Sequence, residues 1–267
     1  MTEFKKYLQS KNINPKTIEY YCKRVEAFKT YLAKDLERVE KKDILNYLQF
    51  LQENRNLSNR TRQQTLGILR HYYNHLQIPN PTNLLNIRGT RKKILYKILS
   101  IEELNEFTDL YYNSYRDDLR NNLILSLIVY QGLKLSEWKA IKIEDIDLIK
   151  GTIFISETRK SNQRKLSLQA NQLGLLYAYL REKKENEELL FTSTPELQKW
   201  AIKLRKLYPK FTDFKQIRAS IITYWIQTEG LRKAQYKAGH RYISSTENYL
   251  SNDLESLKDD ISQFHPL

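Results

Sequence analysis

The most informative stretch of this chain spans residues 214–249 and reads FKQIRASIITYWIQTEGLRKAQYKAGHRYISSTENY. Lys215 and Arg218 are one helical turn apart and therefore share a helix face. An apolar run ends at a glycine, a second basic segment leads to His240, and Tyr249 follows nine positions later. Cations can hold the negative oxygens of a phosphodiester, and a phenolic oxygen can attack its phosphorus. Groups in this order suit DNA strand cleavage without a metal.

The composition points to a polyanionic partner. The 267 residues carry a formal net charge of +14. Counterion release favours binding of such basic surfaces to nucleic acid, although a basic surface can also be merely solvated. The length allows two domains, each with a core of its own. We therefore expect double-stranded DNA as the partner.

Cysteine and histidine usage narrows the chemistry. The single Cys22 excludes an internal disulfide and a cysteine-rich zinc site, and it favours a reducing compartment. Four scattered histidines disfavour a histidine-based metal cluster, so we expect neither a metal nor another cofactor. The sequence has no long apolar run and no signal peptide. We expect a soluble cytoplasmic protein that does not bind membranes.

Residues 1–90 predict a compact, all-helical domain. One helix starts at Asn14-Pro15, a second spans about 42–54, and Ser58 or Asn59 caps a third. The inward positions of the second helix are predicted as Ile44, Leu45, Leu48 and Leu51. The basic outer faces make three side chains of the third helix candidates for DNA contact: Arg60, Arg62 and Arg70.

A basic linker, placed at 91–99, follows without clear periodicity. Its role is open, because it suits a solvated connector and a segment crossing the DNA backbone equally well. The candidate DNA contacts in and just before it are Arg88, Arg91, Lys92 and Lys93.

Residues 100–267 form the second predicted domain. Ser100 is a helix cap, and 119–130 is nearly continuous apolar sequence, which indicates a central buried helix. Residues 152–156 and 164–168 alternate between apolar and polar around a polar turn, which predicts a β-hairpin. The fold class is therefore mainly α with a small β-hairpin or sheet (α+β).

These features together resemble the tyrosine recombinase (phage integrase) family over nearly the whole chain. Residues 132–137, GLKLSE, are similar to the family's Gly-Leu-Arg-x-Ser-Glu box, with Lys134 where arginine is expected. The hairpin with Lys160 is similar to the strand-turn-strand that carries the family's lysine. Lys215-x-x-Arg218 stands in place of His-x-x-Arg. Residues 238–240, Ala-Gly-His, match Leu-Gly-His, and the final tyrosine lies at the family's interval from that histidine.

The resemblance implies a helical core-binding domain, a catalytic domain and a role for each site residue. Tyr249 would attack the scissile phosphate and form a 3′-phosphotyrosine. Arg218 and Lys134 would hold the non-bridging oxygens. Lys160 would protonate the leaving oxygen, with neighbouring hairpin cations as alternatives: Arg159 and Lys165. His240 would hydrogen-bond the phosphate or assist proton transfer.

Further expectations concern DNA contact and assembly. Three more cations of the second domain are expected to contact DNA: Arg159, Arg164 and Arg241. The resemblance implies a homo-oligomer, with four protomers around two DNA sites in the synaptic complex, and it leaves open a monomer for the protein in free solution. The tail carries Leu254, Leu257 and Ile261 at helical spacing. This spacing suits packing on a neighbouring protomer or on the protomer to which the tail belongs.

Lys134 and Lys215 depart from the family pattern and leave a second interpretation open. Lysine offers a compact charge where arginine offers a planar fork that grips two oxygens, and the ammonium of Lys215 cannot act as a neutral imidazole base. A relative with impaired catalysis that only binds DNA, as an accessory or regulatory protein, would show the same substitutions. A type IB topoisomerase shares the chemistry, but the helical first domain argues against it.

Overall fold

The computed structural model describes residues 1–32, 34–88, 96–183, 187–192 and 195–250. The chain divides into two compact units, Met1–Lys92 and Lys93–Leu267. Several residues singled out above lie outside the described residues: Arg91, Lys92, Lys93, Leu254, Leu257 and Ile261.

Every regular element described in the first unit is a helix. These are α1 (Thr2–Ser10), α2 (Pro15–Leu32), α3 (Lys41–Glu53) and α4 (Asn59–Leu76), with a short 3-10 turn at Leu36–Arg38. Pro15 occupies the first position of α2, where its missing N–H costs nothing. The Ser58 hydroxyl accepts a hydrogen bond from the Thr61 amide and caps α4. The sequence interpretation did not include α1.

One inward position of α3 was predicted incorrectly. Leu45 is 48% exposed, whereas Tyr47 is buried and packs on Phe28 with ring centroids 5.0 Å apart. Ile44, Tyr47, Leu48 and Leu51 follow the i, i+3, i+4, i+7 spacing of a single helix face, and Leu45 falls off that face. The helical period therefore selects the tyrosine rather than the leucine.

The second unit is built around one fully buried helix. Its helices are α5 (Ile101–Ser114), α6 (Leu119–Tyr130), α7 (Ala170–Arg181), α8 (Leu197–Leu207), α9 (Phe214–Glu229), α10 (Leu231–Ala238) and α11 (Ile243–Glu247). Helix α6 is buried on all sides from Asn121 to Val129, as its continuous apolar sequence predicts. It packs against α5, α7 and α9. No helix in the described part of the chain is long and apolar enough to cross a membrane.

A small antiparallel sheet completes the second unit. Its strands β1 (Ile146–Asp147), β2 (Thr152–Ile155) and β3 (Arg164–Ser167) lie in that order. The predicted hairpin is confirmed as β2 and β3, and Ile155 pairs with Arg164 in its register. The two residues of β1 are too few to show an alternating pattern in sequence. The predicted fold class, mainly α with a small sheet, is confirmed.

Candidate active site

Arg218 lies at the centre of the candidate site. It is buried in the first half of α9, and one of its guanidinium nitrogens donates to the Gly132 carbonyl. The other nitrogen, Nη2, donates to the Ala238 carbonyl over 2.7 Å. Gly132 lies two residues beyond the end of α6, whereas Ala238 is the last residue of α10, so the Ala238 carbonyl lies at a helix C-terminal end. A cation is favoured there because such carbonyls lack helical partners and carry partial negative charge.

His240 contacts Arg218 and is held from its far side by Thr246. Arg218 Nη2 lies 3.4 Å from His240 Nε2, and His240 Nδ1 lies 2.9 Å from the Thr246 hydroxyl. A guanidinium can only donate, so Nε2 accepts and the ring proton resides on Nδ1. Burial, followed by the positive charges of Arg218 and Lys134, lowers the pKa of His240 to about 3. The imidazole is therefore neutral near pH 7.

Tyr249 lies against His240, on which the charge of Arg218 also acts. Its ring stacks on His240 with centroids 5.9 Å apart and an interplanar angle of 11°. The positive charge of Arg218 acts on its hydroxyl. Burial raises the pKa of the phenol, and the positive charge of Arg218 only partly offsets this. The nucleophile candidate is thus a neutral phenol beside a fixed cation.

Lys134 supplies a second cation beside this cluster. Its side chain is 28% exposed, and its ammonium lies 3.7 Å from Glu137 Oε1. Burial and then the neighbouring Arg218 charge lower the pKa of Lys134 to about 8, although Glu137 acts in the opposite direction. Unlike an arginine at the same place, this group exchanges its proton near physiological pH.

The charges around Arg218 are unbalanced. Three cations, Arg218, Lys134 and Arg164, share one carboxylate, Glu137, so positive charges outnumber negative charges by two within this cluster. Uncompensated charge that is partly removed from water is costly unless an anion binds. The cluster is therefore suited to a phosphate.

Two glycines allow the site segments to approach one another. Gly132 has φ +57°, and a Cβ there would lie 2.9 Å from Trp225 Cη2. Gly239, between Ala238 and His240, has φ +65°, and a Cβ there would lie 2.5 Å from Arg164 Nη1. Both positions need a left-handed conformation and leave no room for a side chain.

Replacing Gly239 tests how tightly the histidine turn is packed. Gly239→Ala is expected to destabilise the protein by about 2–4 kcal/mol, because it adds left-handed strain and forces Arg164 to move. Gly174→Ala in α7 is the matched control, since a Cβ there meets nothing within 4 Å. It is expected to be neutral or to stabilise by up to ~1 kcal/mol. Thermal denaturation compares the two, and equal melting temperatures would contradict this packing.

Lys160 and Lys215 reach solvent at the margin of the cluster. Both are exposed, and neither side chain has a hydrogen bond or ion pair with the described residues. Lys160 occupies the turn between β2 and β3, and Lys215 lies at the start of α9, three residues before the buried Arg218. Lys165, an alternative to Lys160, instead lines a separate cleft of about 690 Å³ beside Tyr236.

The prediction that Arg164 contacts DNA is wrong. Its side chain is fully buried and forms a bidentate ion pair with Glu137, with Nη1–Oε1 and Nη2–Oε2 distances of 3.1 and 2.8 Å. Burial raises the pKa of Glu137, but the hydrogen bonds and charge of Arg164 outweigh it and hold the pKa at about 2. Arg164 faces inward because it alternates with exposed Lys165 along β3.

The other predicted DNA contacts remain predictions, and the structure places them as follows. Arg60, Arg88 and Arg159 are exposed. Arg62 is half-buried and donates to Asn59 and to the Leu48 carbonyl, and Arg70 donates to two carbonyls of the following loop. Arg241 is exposed and donates to the Thr158 carbonyl over 2.9 Å.

Two residues of the site were not assigned a role from sequence. Glu137 is the last residue of the GLKLSE box, and that box is the sequence signal from which its role could have been predicted. Thr246, which holds His240, shows no sequence signal, because the two meet only through the turn before α11. Within the described residues, no group of three or more His, Cys, Asp or Glu side chains is placed to hold a metal ion.

Comparison with known proteins agrees with this geometry. Residues 97–255 match the phage integrase family, and residues 1–78 match the phage integrase N-terminal SAM-like domain. Tyrosine recombinase XerC of Bacillus subtilis is 28% identical, covering 98% of this chain and 95% of its own. Tyrosine recombinase XerA of Pyrococcus horikoshii is 25% identical, covering 98% of this chain and 92% of its own.

Solved structures with a similar fold are also recombinases. XerH site-specific recombinase bound to palindromic difH substrate superposes with a TM-score of 0.72 at 21% identity, covering 94% of this chain and 80% of that one. The chain belongs to the phage integrase family, that is, to the tyrosine recombinases.

Proposed function

We propose that this protein is a site-specific DNA recombinase that cleaves and rejoins DNA through a 3′-phosphotyrosine intermediate. One observation carries the proposal: His240 contacts both Arg218 and Tyr249, which stand 22 positions before it and nine positions after it in the chain. Folding thus assembles a phosphate-binding cation, an imidazole and a phenol at one place. Membership of the tyrosine recombinase family supports the same activity.

Two cations of the cluster hold the scissile phosphate in this proposal. Arg218 and Lys134 bind its non-bridging oxygens, which gain negative charge as Tyr249 attacks. The phenolic oxygen forms a bond to phosphorus and the bond from phosphorus to the 5′-oxygen breaks. Because the bond energy is kept in the phosphotyrosine, the reverse attack by a 5′-hydroxyl rejoins DNA without ATP.

The proton of Tyr249 needs an acceptor, and the tautomer of His240 supports that role. Nε2 carries a lone pair in the network with Thr246, so it can accept a proton and cannot donate to a phosphate oxygen. Burial is the largest cause of the lowered pKa of His240, and the positive charges of Arg218 and Lys134 lower it further. A bound phosphate offsets their charge and thereby makes the imidazole a better base.

Lys160 protonates the departing 5′-oxygen. Its exposed ammonium lies on the hairpin turn and has no ion-pair partner in the described part of the chain, so it is free to reach DNA. Arg159 is the remaining alternative, although a guanidinium gives up a proton far less readily than an ammonium. Lys215 stands where the family pattern has a histidine and supplies a further positive charge.

The partner in this proposal is double-stranded DNA, held by a core-binding domain at 1–90 and a catalytic domain at 100–267 joined by the linker at 91–99. The XerH neighbour was solved bound to its difH substrate, and a lambda integrase neighbour was solved as a dimer bound to a core site. We infer a tetramer on two DNA sites and a cytoplasmic, DNA-associated location. The single buried Cys22 suits that reducing compartment.

The alternative, a relative that binds DNA with impaired catalysis, is not favoured. Lys134 and Lys215 do replace the family's arginine and histidine. Tyr249, however, stacks on His240 and feels the charge of Arg218, and a protein that only binds DNA gains nothing from that arrangement.

Covalent trapping distinguishes the two functions. Bound sites are first selected from a duplex library with randomised bases, and nicks are then tiled across a selected site so that cleavage releases a short strand. The recombinase is expected to leave a protein–DNA adduct that survives denaturing electrophoresis at one nick position. Tight binding with no adduct at any position would support the DNA-binding alternative instead.

A further inference from the structure

The buried carboxylate of Glu137 joins the two site segments that carry lysines. Its Oε2 accepts from the Lys134 amide over 2.9 Å, which ties it to the GLKLSE box. Its Oε1 accepts from the Ser161 hydroxyl over 2.9 Å, which ties it to the hairpin turn. Both oxygens are also gripped by Arg164, at the start of β3.

The hydrogen bonds from Glu137 to Lys160 have a defined direction. Glu137 is ionised and only accepts, so the Ser161 hydroxyl must donate to it. The proton between Ser161 Oγ and Thr158 Oγ1, 3.0 Å apart, therefore comes from Thr158. The Thr158 oxygen is then free to accept from the Lys160 amide, 3.2 Å away. A single chain of hydrogen bonds thus runs from the backbone of Lys160 to the buried carboxylate.

The same turn is attached to the histidine segment. The Asn162 amide donates to the Gly239 carbonyl over 3.0 Å, and Arg241 donates to the Thr158 carbonyl over 2.9 Å. The Arg164 guanidinium packs directly beneath Gly239, where no Cβ fits. Arg164 therefore directly follows the turn, contacts Glu137 of the GLKLSE box and packs against the residue before His240.

We propose that Arg164 and Ser161, acting on Glu137, are positioning residues that aim Lys160 at the leaving 5′-oxygen. This inference rests on the proposed recombinase function. The Lys160 side chain has no hydrogen bond or ion pair with the described residues, so its backbone determines where the ammonium can reach. A lysine side chain has four rotatable bonds. If the Lys160 backbone is displaced, the ammonium can therefore occupy many positions. A misplacement of about 1 Å can cost on the order of 10²-fold in rate.

A sulfur substitution isolates this role from a general loss of structure. In the cleavage step the bond between phosphorus and the 5′-oxygen breaks, and the oxygen takes a proton from the Lys160 ammonium. When sulfur replaces that oxygen, the thiolate leaves without needing a proton, because a thiol is far more acidic than an alcohol. A defect in aiming Lys160 is therefore repaired by sulfur, and a defect in folding or DNA binding is not.

Single-turnover cleavage of oxygen and 5′-sulfur substrates by wild-type and variant protein tests the proposal. With oxygen, Ser161→Ala and Arg164→Lys are expected to be slower by about 10-fold and Arg164→Met by about 10²-fold, while Lys160→Ala loses 10²–10⁴-fold, as expected for removal of a general acid. With sulfur, all four are expected to cleave within about threefold of wild type. Arg116→Met, an exposed arginine outside the site, is the control and is expected to match wild type on both substrates.

A double variant gives a second, independent readout. Lys160→Ala combined with Ser161→Ala is expected to be no slower than Lys160→Ala alone, because Ser161 acts only through Lys160. Additive losses, or a deficit of Arg164→Lys that persists with sulfur, would overturn the positioning role. The proposed function fails separately, since it requires wild-type protein to form the covalent adduct whatever the variants do. Thermal denaturation of each variant identifies a substitution that unfolds the protein, and Ser161→Ala, which removes one atom, still decides the question.

Discussion

Tyr249→Phe is expected to abolish covalent attachment to DNA while leaving DNA affinity within about twofold of wild type. The substitution removes one oxygen, and that oxygen is the proposed nucleophile. The phenyl ring keeps its stacking on His240, and Arg218 keeps its bonds to the Gly132 and Ala238 carbonyls. Affinity depends on many phosphate contacts and therefore changes little. Adduct formation on the nicked substrate and binding by gel shift measure the two effects.

Tyr96→Phe is the matched control. Tyr96 contributes to the raised pKa of Tyr249, so it is the neighbouring tyrosine chosen to test for a substitute nucleophile. The control is expected to form the adduct at the wild-type level. An adduct that persists in Tyr249→Phe would mean that another of the nineteen tyrosines attacks, and peptide mapping of the DNA-linked residue would identify it.

Lys134→Ala is expected to slow cleavage by about two orders of magnitude, the usual cost of removing one preorganised donor from a transition state. Lys134→Arg is expected to keep or raise the rate, because a guanidinium fork can grip two oxygens. The two variants are compared by single-turnover rates at saturating DNA. If Lys134→Ala cleaves as fast as wild type, Lys134 does not contact the phosphate and another cation must accompany Arg218.

The lysine at this position also predicts a pH dependence. Burial and the charge of Arg218 lower the pKa of Lys134 to about 8, so the ammonium loses its charge as pH rises through that value. Cleavage at subsaturating DNA is therefore expected to fall above pH 8 in wild type. Bound phosphate favours the ammonium, so saturating DNA is expected to move the fall to higher pH.

Lys134→Arg serves as the control for this pH profile. The guanidinium keeps its charge throughout, and the fall near pH 8 is expected to disappear. The pKa values of His240, about 3, and of Glu137, about 2, lie far below this inflection. The pKa of Tyr249 is raised above its ordinary value, which places it beyond this range. An unchanged profile in Lys134→Arg would assign the inflection to another group.

Local pattern alone predicted most of the elements. The bounds 119–130 of α6, the cap at Ser100 and the hairpin of β2 and β3 follow from interactions between residues close in sequence, which periodicity and capping chemistry reveal. Patterns failed where the element was too short, as in β1, or where two residues competed for one face, as at Leu45 and Tyr47.

The site residues, like the helices and strands, could be predicted only in part from the sequence. Sequence order identified Arg218, His240 and Tyr249 as candidates, because spacing within one continuous stretch carries that information. It could not tell an arginine that faces DNA from one that is buried. Arg164 looked like a surface cation, and only the approach of Glu137, 27 positions earlier, makes its burial favourable.

The protonation states of the site residues also depend on contacts between residues that are distant in sequence. The lowered pKa values of Lys134 and His240 arise from burial and from neighbours that folding brings from other segments. The direction of the hydrogen-bond chain from Lys160 to Glu137 likewise requires two segments to meet. Residue types and their order therefore determined which groups could take part in the reaction. Their charge states and their aim were decided by tertiary packing, because desolvation and electrostatic interaction depend on distance in space rather than along the chain.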